Sequence, residues 1–160
     1  MELSIRPVQQ NDFNEIFNLL EQLWTDLELD YNLLLEVYNK AFESKVQKMI
    51  VGEIGNKIIG FCSLTIRNNL LQAGNLGHLD ELVIDKEYRG NGFGKQMIES
   101  ITEIAQGLDC NRIELDTAFY RKESHEFYES IGYKKKSYLF LSHLLTNNRN
   151  NKYKFIHVSI

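Results

Sequence analysis

Three glycines within five residues, Gly90, Gly92 and Gly94, separate a short apolar segment from an amphipathic one. The apolar residues 82–84 predict a buried strand, and apolar residues recur at helical spacing over residues 97–108. A chain that runs from a strand through glycines into a helix gathers backbone N–H groups at the positive end of the helix dipole. The junction therefore indicates an α/β architecture and suits the binding of a polyphosphate.

Two familiar phosphate-binding patterns do not match this glycine cluster. The dinucleotide pattern G-x-G-x-x-G fails because Lys95 stands where the third glycine belongs. The nucleoside triphosphate loop needs a glycine at the position of Arg89 and a Ser or Thr at the position of Gln96. By itself, the cluster is equally consistent with a glycine-rich turn at the start of a helix.

The spacing of apolar residues along the rest of the chain predicts one mixed domain. Strict alternation predicts strands, and apolar residues at three- and four-residue steps predict helices. Predicted strands cover residues 3–6, 49–54, 57–66, 78–85, 112–117 and 138–142, and predicted helices cover residues 13–27, 32–43, 97–108 and 124–131. The resulting order is β-α-α-β-β-β-α-β-α-β.

Local signals predict the turns and one helix start. The pair Gly55-Asn56 between two predicted strands suits a tight hairpin, and residues 67–77, which are rich in Asn and Gly, predict a loop. Asp12 is expected to cap the first helix, and Glu15 three residues later would complete a capping box.

Length, charge and hydropathy limit the class of protein. With 160 residues and 43% hydrophobic content, the chain suits a single core, and residues 1–143 are expected to form one domain. The net charge of −4 argues against a nucleic-acid partner. No apolar run approaches the roughly 20 residues that span a bilayer, so we expect no membrane partner and a cytoplasmic location. Cys62 and Cys110 are expected to be buried free thiols, and no metal site is expected.

The last residues, 144–160, differ in character from the domain. A run rich in Asn is followed by alternating apolar and polar residues that end at Ile160. This tail predicts either an extra strand or a disordered end. As a strand, it would pair with an exposed sheet edge in the same chain or in a partner chain, and so help to form a homodimer.

The glycine cluster Arg-Gly-Asn-Gly-Phe-Gly, residues 89–94, resembles the R/Q-x-x-G-x-G/A signature of the GNAT superfamily of N-acetyltransferases. Residues 78–84 resemble the strand that precedes this signature. Residues 127–133, Phe-Tyr-Glu-Ser-Ile-Gly-Tyr, resemble the late F-Y-x-x-x-G-F/Y element of the family. Three elements in the same order, within a matching element order over residues 3–143, distinguish this resemblance from a chance match of one glycine motif.

The resemblance implies a fold, a cosubstrate and a set of contacts. The fold would be a single α/β domain with helices on both faces of a mixed, mostly antiparallel sheet that splays between its fourth and fifth strands. The cosubstrate would be acetyl-CoA, with its pantetheine arm along the backbone of Leu82, Val83 and Ile84. Its pyrophosphate would lie in the loop formed by Arg89, Gly90, Asn91, Gly92, Phe93, Gly94 and Lys95.

Two parts of the chain depart from the family pattern. Many members carry an asparagine seven residues before the late tyrosine, where this chain has Arg121, so the pantetheine contact made there is not carried over. The first two helices and the loop before the cofactor strand, where acceptor specificity varies in the family, match no known pattern. The acceptor is therefore left open.

The chemistry of amide formation requires a base, because an alkyl amine with a pKa of about 10 is mostly protonated at neutral pH. His78, Asp80 and Glu81 lie on one predicted strand, and regular alternation puts Glu81 on the opposite face from the other two. By the resemblance, the face of His78 and Asp80 meets the substrate, so these two are the candidate bases, acting directly or through water. The alternatives are a hydrogen-bonded histidine at a strand edge and, for Glu81, a structural ion pair.

Two further groups are needed, one to polarise the carbonyl and one to protonate the leaving thiolate. A backbone N–H of Leu82 or Val83 suits the first role, since a fixed dipole needs no reorganisation. Tyr128 is the candidate acid, and its alternative is an ordinary core aromatic. Adjacent helix positions point about 100° apart, so Phe127 and Tyr128 are expected to face different surroundings. No residue stands out as a nucleophile, which favours direct attack in a ternary complex.

The sequence thus predicts an acetyl-CoA-dependent N-acetyltransferase acting on a primary amine of a small molecule, peptide or protein. A second hypothesis is a catalytically silent acetyl-CoA-binding or interaction module. Acidic residues on and near the early helices suit a cationic acceptor, or else form a solvated face: Glu15, Glu21, Asp26, Glu28, Asp30 and Glu36.

Overall fold

The structure is a computed structural model that describes residues 2–142. The tail, residues 144–160, lies outside the described residues, and the strand or dimer contact predicted for it stays a prediction. Within residues 2–142, no helix is both long enough and apolar enough to cross a membrane.

A sheet of five strands forms the centre of the fold. The strands lie in chain order across it: β1 Ser4–Pro7, β2 Gln47–Ile54, β3 Lys57–Asn69, β4 Gly74–Ile84 and β5 Cys110–Leu115. Neighbouring strands are antiparallel from β1 to β4, and β5 runs parallel to β4. The predicted mixed, mostly antiparallel sheet is confirmed.

Helices cover both faces of this sheet, as predicted. They are α1 Phe13–Leu23, α2 Tyr31–Glu43, α3 Phe93–Gly107 and α4 Lys122–Ser130. Because side chains alternate along a strand, Phe61 of β3 packs in the core beneath α1 and α2, whereas its neighbour Cys62 packs in the core beneath α3 and α4. We call these two surfaces the α1 face and the α3 face. Of the two free cysteines, Cys62 is buried and Cys110 is half-buried, so the expectation of two buried thiols holds only for Cys62.

The two predicted turns have different outcomes. The hairpin is confirmed, since Gly55 has φ +63° and Ile54 pairs with Lys57. The loop predicted at residues 67–77 is wrong over most of its length, because β3 and β4 continue through it with Arg67 opposite Leu76. Cross-strand hydrogen bonds keep both backbones extended there and override the local preference of Asn and Gly for turns.

The predicted capping box at the start of α1 is also wrong. Asp12 makes no capping hydrogen bond to α1; it accepts one from the backbone N of Gln9 at 2.7 Å and pairs with Arg6 at 2.7 Å. Glu15 accepts a hydrogen bond from the backbone N of Ile58 at 3.0 Å. The two carboxylates therefore tie α1 to β1 and β3, which are partners that local spacing does not reveal.

Residues 138–142, predicted as a last core strand, have no regular secondary structure. Tyr138 and Phe140 are 77% and 91% exposed, and no strand of the described residues pairs with the segment. Alternation shows only that a segment is suited to pairing, and a strand also needs an edge that satisfies its backbone groups. This prediction is corrected to an exposed irregular segment.

The splay between the fourth and fifth strands is confirmed by their pairing. The parallel ladder between β4 and β5 ends where Leu79 lies opposite Leu115. Beyond this point residues 80–84 continue β4 without a neighbour on the β5 side among residues 2–142. The divergence leaves a gap along one edge of β4.

Candidate active site

The open edge of β4 presents the backbone of two residues to the gap. The backbone N of Asp85 donates to the carbonyl of Ile59 in β3 at 2.8 Å. In an antiparallel ladder, residues alternate between facing their partner strand and facing away, so Val83 faces β3 and Leu82 and Ile84 face the gap. The sequence left Leu82 and Val83 as alternatives for a polarising N–H, and this alternation favours Leu82.

A β-bulge at Asp80 determines which side chains of β4 share a face. Glu81 lies opposite Ser63 of β3, and Leu79 lies opposite the next residue, Leu64, so Asp80 is an extra residue in β4. The bulge shifts the alternation by one position and turns Glu81 onto the α1 face, beside the other two candidate bases. The prediction that Glu81 lies on the opposite face is therefore wrong.

His78 lies between two carboxylates. Its Nδ1 is 3.0 Å from Asp80 Oδ1, and its Nε2 is 3.1 Å from Asp116 Oδ2. The second oxygen of Asp80 accepts a hydrogen bond from Thr65 Oγ1 at 2.6 Å. Both ring nitrogens of His78 and both oxygens of Asp80 thus have partners within the protein. Sequence reasoning missed Asp116 and Thr65, because no local motif marks them and only the fold brings them beside β4.

Glu81 has fewer partners than Asp80. It accepts a hydrogen bond from the hydroxyl of Ser63, and it takes part in no ion pair within residues 2–142, contrary to the structural ion pair considered from the sequence. Burial raises the pKa of Glu81, the Ser63 hydrogen bond lowers it, the charge of Asp80 raises it and His78 lowers it, with a net increase. A half-buried carboxyl group with a raised pKa is suited to accept a proton from an amine.

Tyr128 belongs to the opposite, α3 face of the sheet. Its ring centroid lies 5.1 Å from that of Phe127 and 5.6 Å from that of Tyr133. Burial raises the pKa of Tyr128, the neighbouring Cys62 and Tyr133 raise it further, and the positive charge of Arg121 lowers it. Phe127 and Tyr128 both pack against the α3-face core, so the expectation of different surroundings is wrong. The core surface that α4 covers is wide enough to contact the adjacent residues Phe127 and Tyr128.

The glycine loop combines free donors with open space. Gly90 and Gly92 have φ of +78° and +79°, and a Cβ at either position would meet no atom within 4 Å. Gly92 is the N-cap of α3 and supplies no side-chain cap, so the first N–H groups of α3 lack intrahelical partners. This arrangement fits a bound polyphosphate.

Polar side chains of the loop are held in two ways. Arg89 Nε donates to the carbonyl of Ile84 at 2.9 Å, which leaves its other N–H groups for a ligand. Asn91 Nδ2 donates to the carbonyls of Tyr88 and Arg89 at 3.0 and 3.1 Å, which stabilises the turn. Lys95 is exposed, and its Nζ is 3.7 Å from Glu99. Arg89 and Lys95 are thus available to contact a phosphate, whereas Asn91 shapes the loop.

Two other loop residues serve packing. Phe93 is buried in the α3-face core. A Cβ at Gly94 would lie 3.3 Å from the ring of Phe127, so the missing side chain allows α3 and α4 to approach each other. These contacts do not involve the open side of the loop.

The segment after β5 carries a buried hydroxyl, Thr117 Oγ1, without a hydrogen-bond partner among the described residues. It lies two residues beyond Leu115, where β5 has left β4. The free N–H groups at the start of α3, the open space beside Gly90 and Gly92 and the guanidinium of Arg89 support the fit of acetyl-CoA to the loop through its pyrophosphate.

Arg121 links helices on the two faces of the sheet. Its Nη2 donates to the carbonyl of Leu23 at 2.6 Å, which links the start of α4 to the end of α1. Arg121 forms no ion pair within residues 2–142, in contrast to Arg6, Arg67 and Arg112. It therefore contributes positive charge between the two faces.

The sequence also matches known proteins over most of its length. Residues 13–133 match the acetyltransferase (GNAT) family. The glucosamine 6-phosphate N-acetyltransferase of Trypanosoma brucei brucei is 27% identical over 136 residues, which cover 84% of this chain and 90% of that protein. The aminoalkylphosphonate N-acetyltransferase of Salmonella typhimurium is 26% identical over 137 residues, which cover 85% of this chain and 88% of that protein.

A solved structure shows the same arrangement of elements. The crystal structure of an acetyltransferase from Trypanosoma brucei superposes with a TM-score of 0.73 at 25% identity, covering 89% of this chain and all of that chain (100%). The similarity in fold therefore extends over most of this chain.

Proposed function

This chain belongs to the acetyltransferase (GNAT) family and is an N-acetyltransferase that uses acetyl-CoA, and we propose that a primary amine attacks the acetyl group directly in a ternary complex. When bound, acetyl-CoA supplies an acetyl group activated as a thioester. The observation that carries the proposal is the placement of Glu81 on the α1 face, where β4 borders the gap, with Tyr128 packed against the core of the α3 face.

Glu81 is the base in this proposal. Its pKa is raised, mainly by burial, which brings it nearer to the pKa of the ammonium group that it must deprotonate. Asp80 and His78, which the sequence favoured, lie beside it on the same face, but their polar atoms already have partners. Asp80 would act by attracting the ammonium form of the acceptor, and His78 by holding Asp80.

The two remaining roles belong to Leu82 and Tyr128. The backbone N–H of Leu82 faces the gap and would donate to the carbonyl oxygen as negative charge develops there. The hydroxyl of Tyr128 would donate its proton to the departing thiolate. A tyrosine whose pKa is raised keeps that proton throughout the neutral range and is therefore available as a donor.

The charges of the site favour an acceptor that carries a cationic amine. Asp80, Glu81 and Asp116 cluster on the α1 face and would attract an ammonium group before it is deprotonated. Two relatives are named for glucosamine 6-phosphate and for aminoalkylphosphonates, so amines that also carry a phosphate or phosphonate are the first candidates. Arg121, which links α1 and α4, supplies a positive charge that suits such a group.

The function is tested by thiol release and product analysis with a panel of amines. The panel contains glucosamine 6-phosphate, glucosamine, 2-aminoethylphosphonate, a polyamine, an aminoglycoside and a peptide with a free N-terminus. We expect at least one amine to give one N-acetyl product per thiol released. Binding of acetyl-CoA without thiol release from any of these amines would contradict the proposal and favour the silent binding module.

Substitution Gly92→Val is expected to weaken acetyl-CoA binding by at least about tenfold, measured by calorimetry. The branched side chain would occupy open space beside the free N–H groups of α3, and a non-glycine residue at φ +79° costs about 1–3 kcal/mol. Gly55→Val is the matched control, since Gly55 also has a positive φ and open space but lies in the distant hairpin. Equal affinities of the two folded variants would remove the glycine loop from the site.

A further inference from the structure

The histidine at the start of the gap has an unusual set of partners. His78 Nδ1 lies 3.0 Å from Asp80 Oδ1, and Nε2 lies 3.1 Å from Asp116 Oδ2. A carboxylate only accepts hydrogen bonds, so each ring nitrogen must donate for both contacts to be hydrogen bonds. Both contacts are therefore hydrogen bonds to ionised carboxylates only when the ring carries both protons.

The position of this bridge gives it a role beyond a local contact. Asp80 is the bulged residue of β4, and Asp116 is the residue directly after β5. Leu79 and Leu115, the last β4–β5 pair, directly precede Asp80 and Asp116 in the chain. The ring of His78 thus spans the two strands at the point where they separate.

Charge at this point also affects the neighbouring carboxyl group. Arg67 on β3 pairs with Glu114 on β5, and Asp80, Asp116 and Glu81 surround the ring. A protonated ring offsets the negative charge of Asp80, which lies next to Glu81 in the chain. Without that offset, Asp80 would repel the ionised form of Glu81 more strongly.

We propose that His78 is a positioning residue whose doubly protonated ring ties Asp80 to Asp116 across the start of the gap, and thereby holds the bulge that places Glu81 on the α1 face outside this bridge. In this role His78 is not the base. It holds the end of β5 against β4, fixes the orientation of the Asp80 carboxylate and supplies a positive charge next to it. The part of this inference that concerns turnover rests on the proposed function, and the part that concerns the bridge does not.

The bridge is tested by NMR of the ring N–H protons in the full ¹⁵N-labelled chain at pH 6, with the signals of His78 assigned from their loss in His78→Gln. We expect two ring protons on His78 that both exchange slowly with water. Asp116→Ala should make the Nε2 proton exchange at least about tenfold faster and leave the Nδ1 proton protected. Fast exchange of both protons in the wild type, or no response to Asp116→Ala, would overturn the proposal even if the protein proves to be inactive.

The effect on catalysis is tested by the pH dependence of kcat/KM for an amine that the panel identifies. His78→Gln should move the acid limb to higher pH by about one unit, because loss of the ring's positive charge raises the pKa of Glu81. A residue with a purely structural role would lower the rate at every pH without displacing the limb. Glu114→Gln is the matched control, since Glu114 lies opposite His78 on β5 but pairs with arginines. An acid limb that stays in place in His78→Gln, or moves equally in Glu114→Gln, would overturn the proposal.

Discussion

Replacing Tyr128 by Phe is expected to lower kcat by about 10²- to 10⁴-fold, the usual contribution of a positioned acid. The substitution keeps the ring and its contacts with Phe127 and Tyr133 and removes only the hydroxyl. The affinity for acetyl-CoA should therefore change little. Steady-state kinetics combined with calorimetry measure the two quantities separately.

The pH profile and a neighbouring tyrosine refine this experiment. An ordinary phenol has a pKa of about 10. Because burial raises the pKa of Tyr128, the loss of activity caused by its ionisation is expected at a pH above that value. Tyr133→Phe is the matched control, since its ring lies in the same aromatic cluster. If Tyr128→Phe raises only the KM for the amine, its hydroxyl is a binding contact. If it lowers only the melting temperature, Tyr128 is a core aromatic and not the acid.

The variant Glu81→Gln is expected to lose activity by a similar factor, about 10²- to 10⁴-fold, with the acid limb of the kcat/KM profile removed. In the wild type this limb should lie at higher pH than the ordinary carboxyl pKa of about 4.3, because burial raises the pKa of Glu81. Ser63→Ala removes the hydrogen bond that lowers this pKa, so it should move the limb further toward high pH. Rate measurements between pH 5 and pH 10 follow both effects.

The melting temperature of Glu81→Gln shows whether the variant has lost only the base or has also lost its fold. The pKa of Glu81 is higher in the folded chain than in the unfolded chain. As the pH rises above the pKa of the unfolded chain, ionisation of Glu81 therefore lowers the free energy of unfolding. Glu81→Gln should therefore not lower the melting temperature at neutral pH. Asp80→Asn serves as the comparison, because Asp80 holds His78 and Thr65. If Asp80→Asn abolishes turnover and Glu81→Gln leaves it within tenfold of the wild type, the base is Asp80.

The features that could be predicted from the sequence depend on local physics. The strand, glycine loop and helix from Leu82 onward follow from the apolar spacing and from the glycines, since Gly90 and Gly92 adopt a positive φ without the strain that a Cβ would cause. The hairpin at Gly55 has the same origin. The predicted strand at residues 138–142 failed because it depended on a partner edge, which local alternation does not specify.

By itself, the sequence determined the family, the cosubstrate and the loop expected to hold its phosphates, because these depend on a contiguous motif at a strand–helix junction. Only the tertiary structure decided how the carboxyl groups are arranged. One extra residue in β4, Asp80, turns Glu81 onto the α1 face, because a one-residue shift in a strand exchanges its two faces. Asp116 meets His78 from 38 residues away, because β5 runs beside β4 only as far as Leu115 and then departs. Strand register and divergence are set by pairing between distant segments, and no local pattern in the chain encodes them.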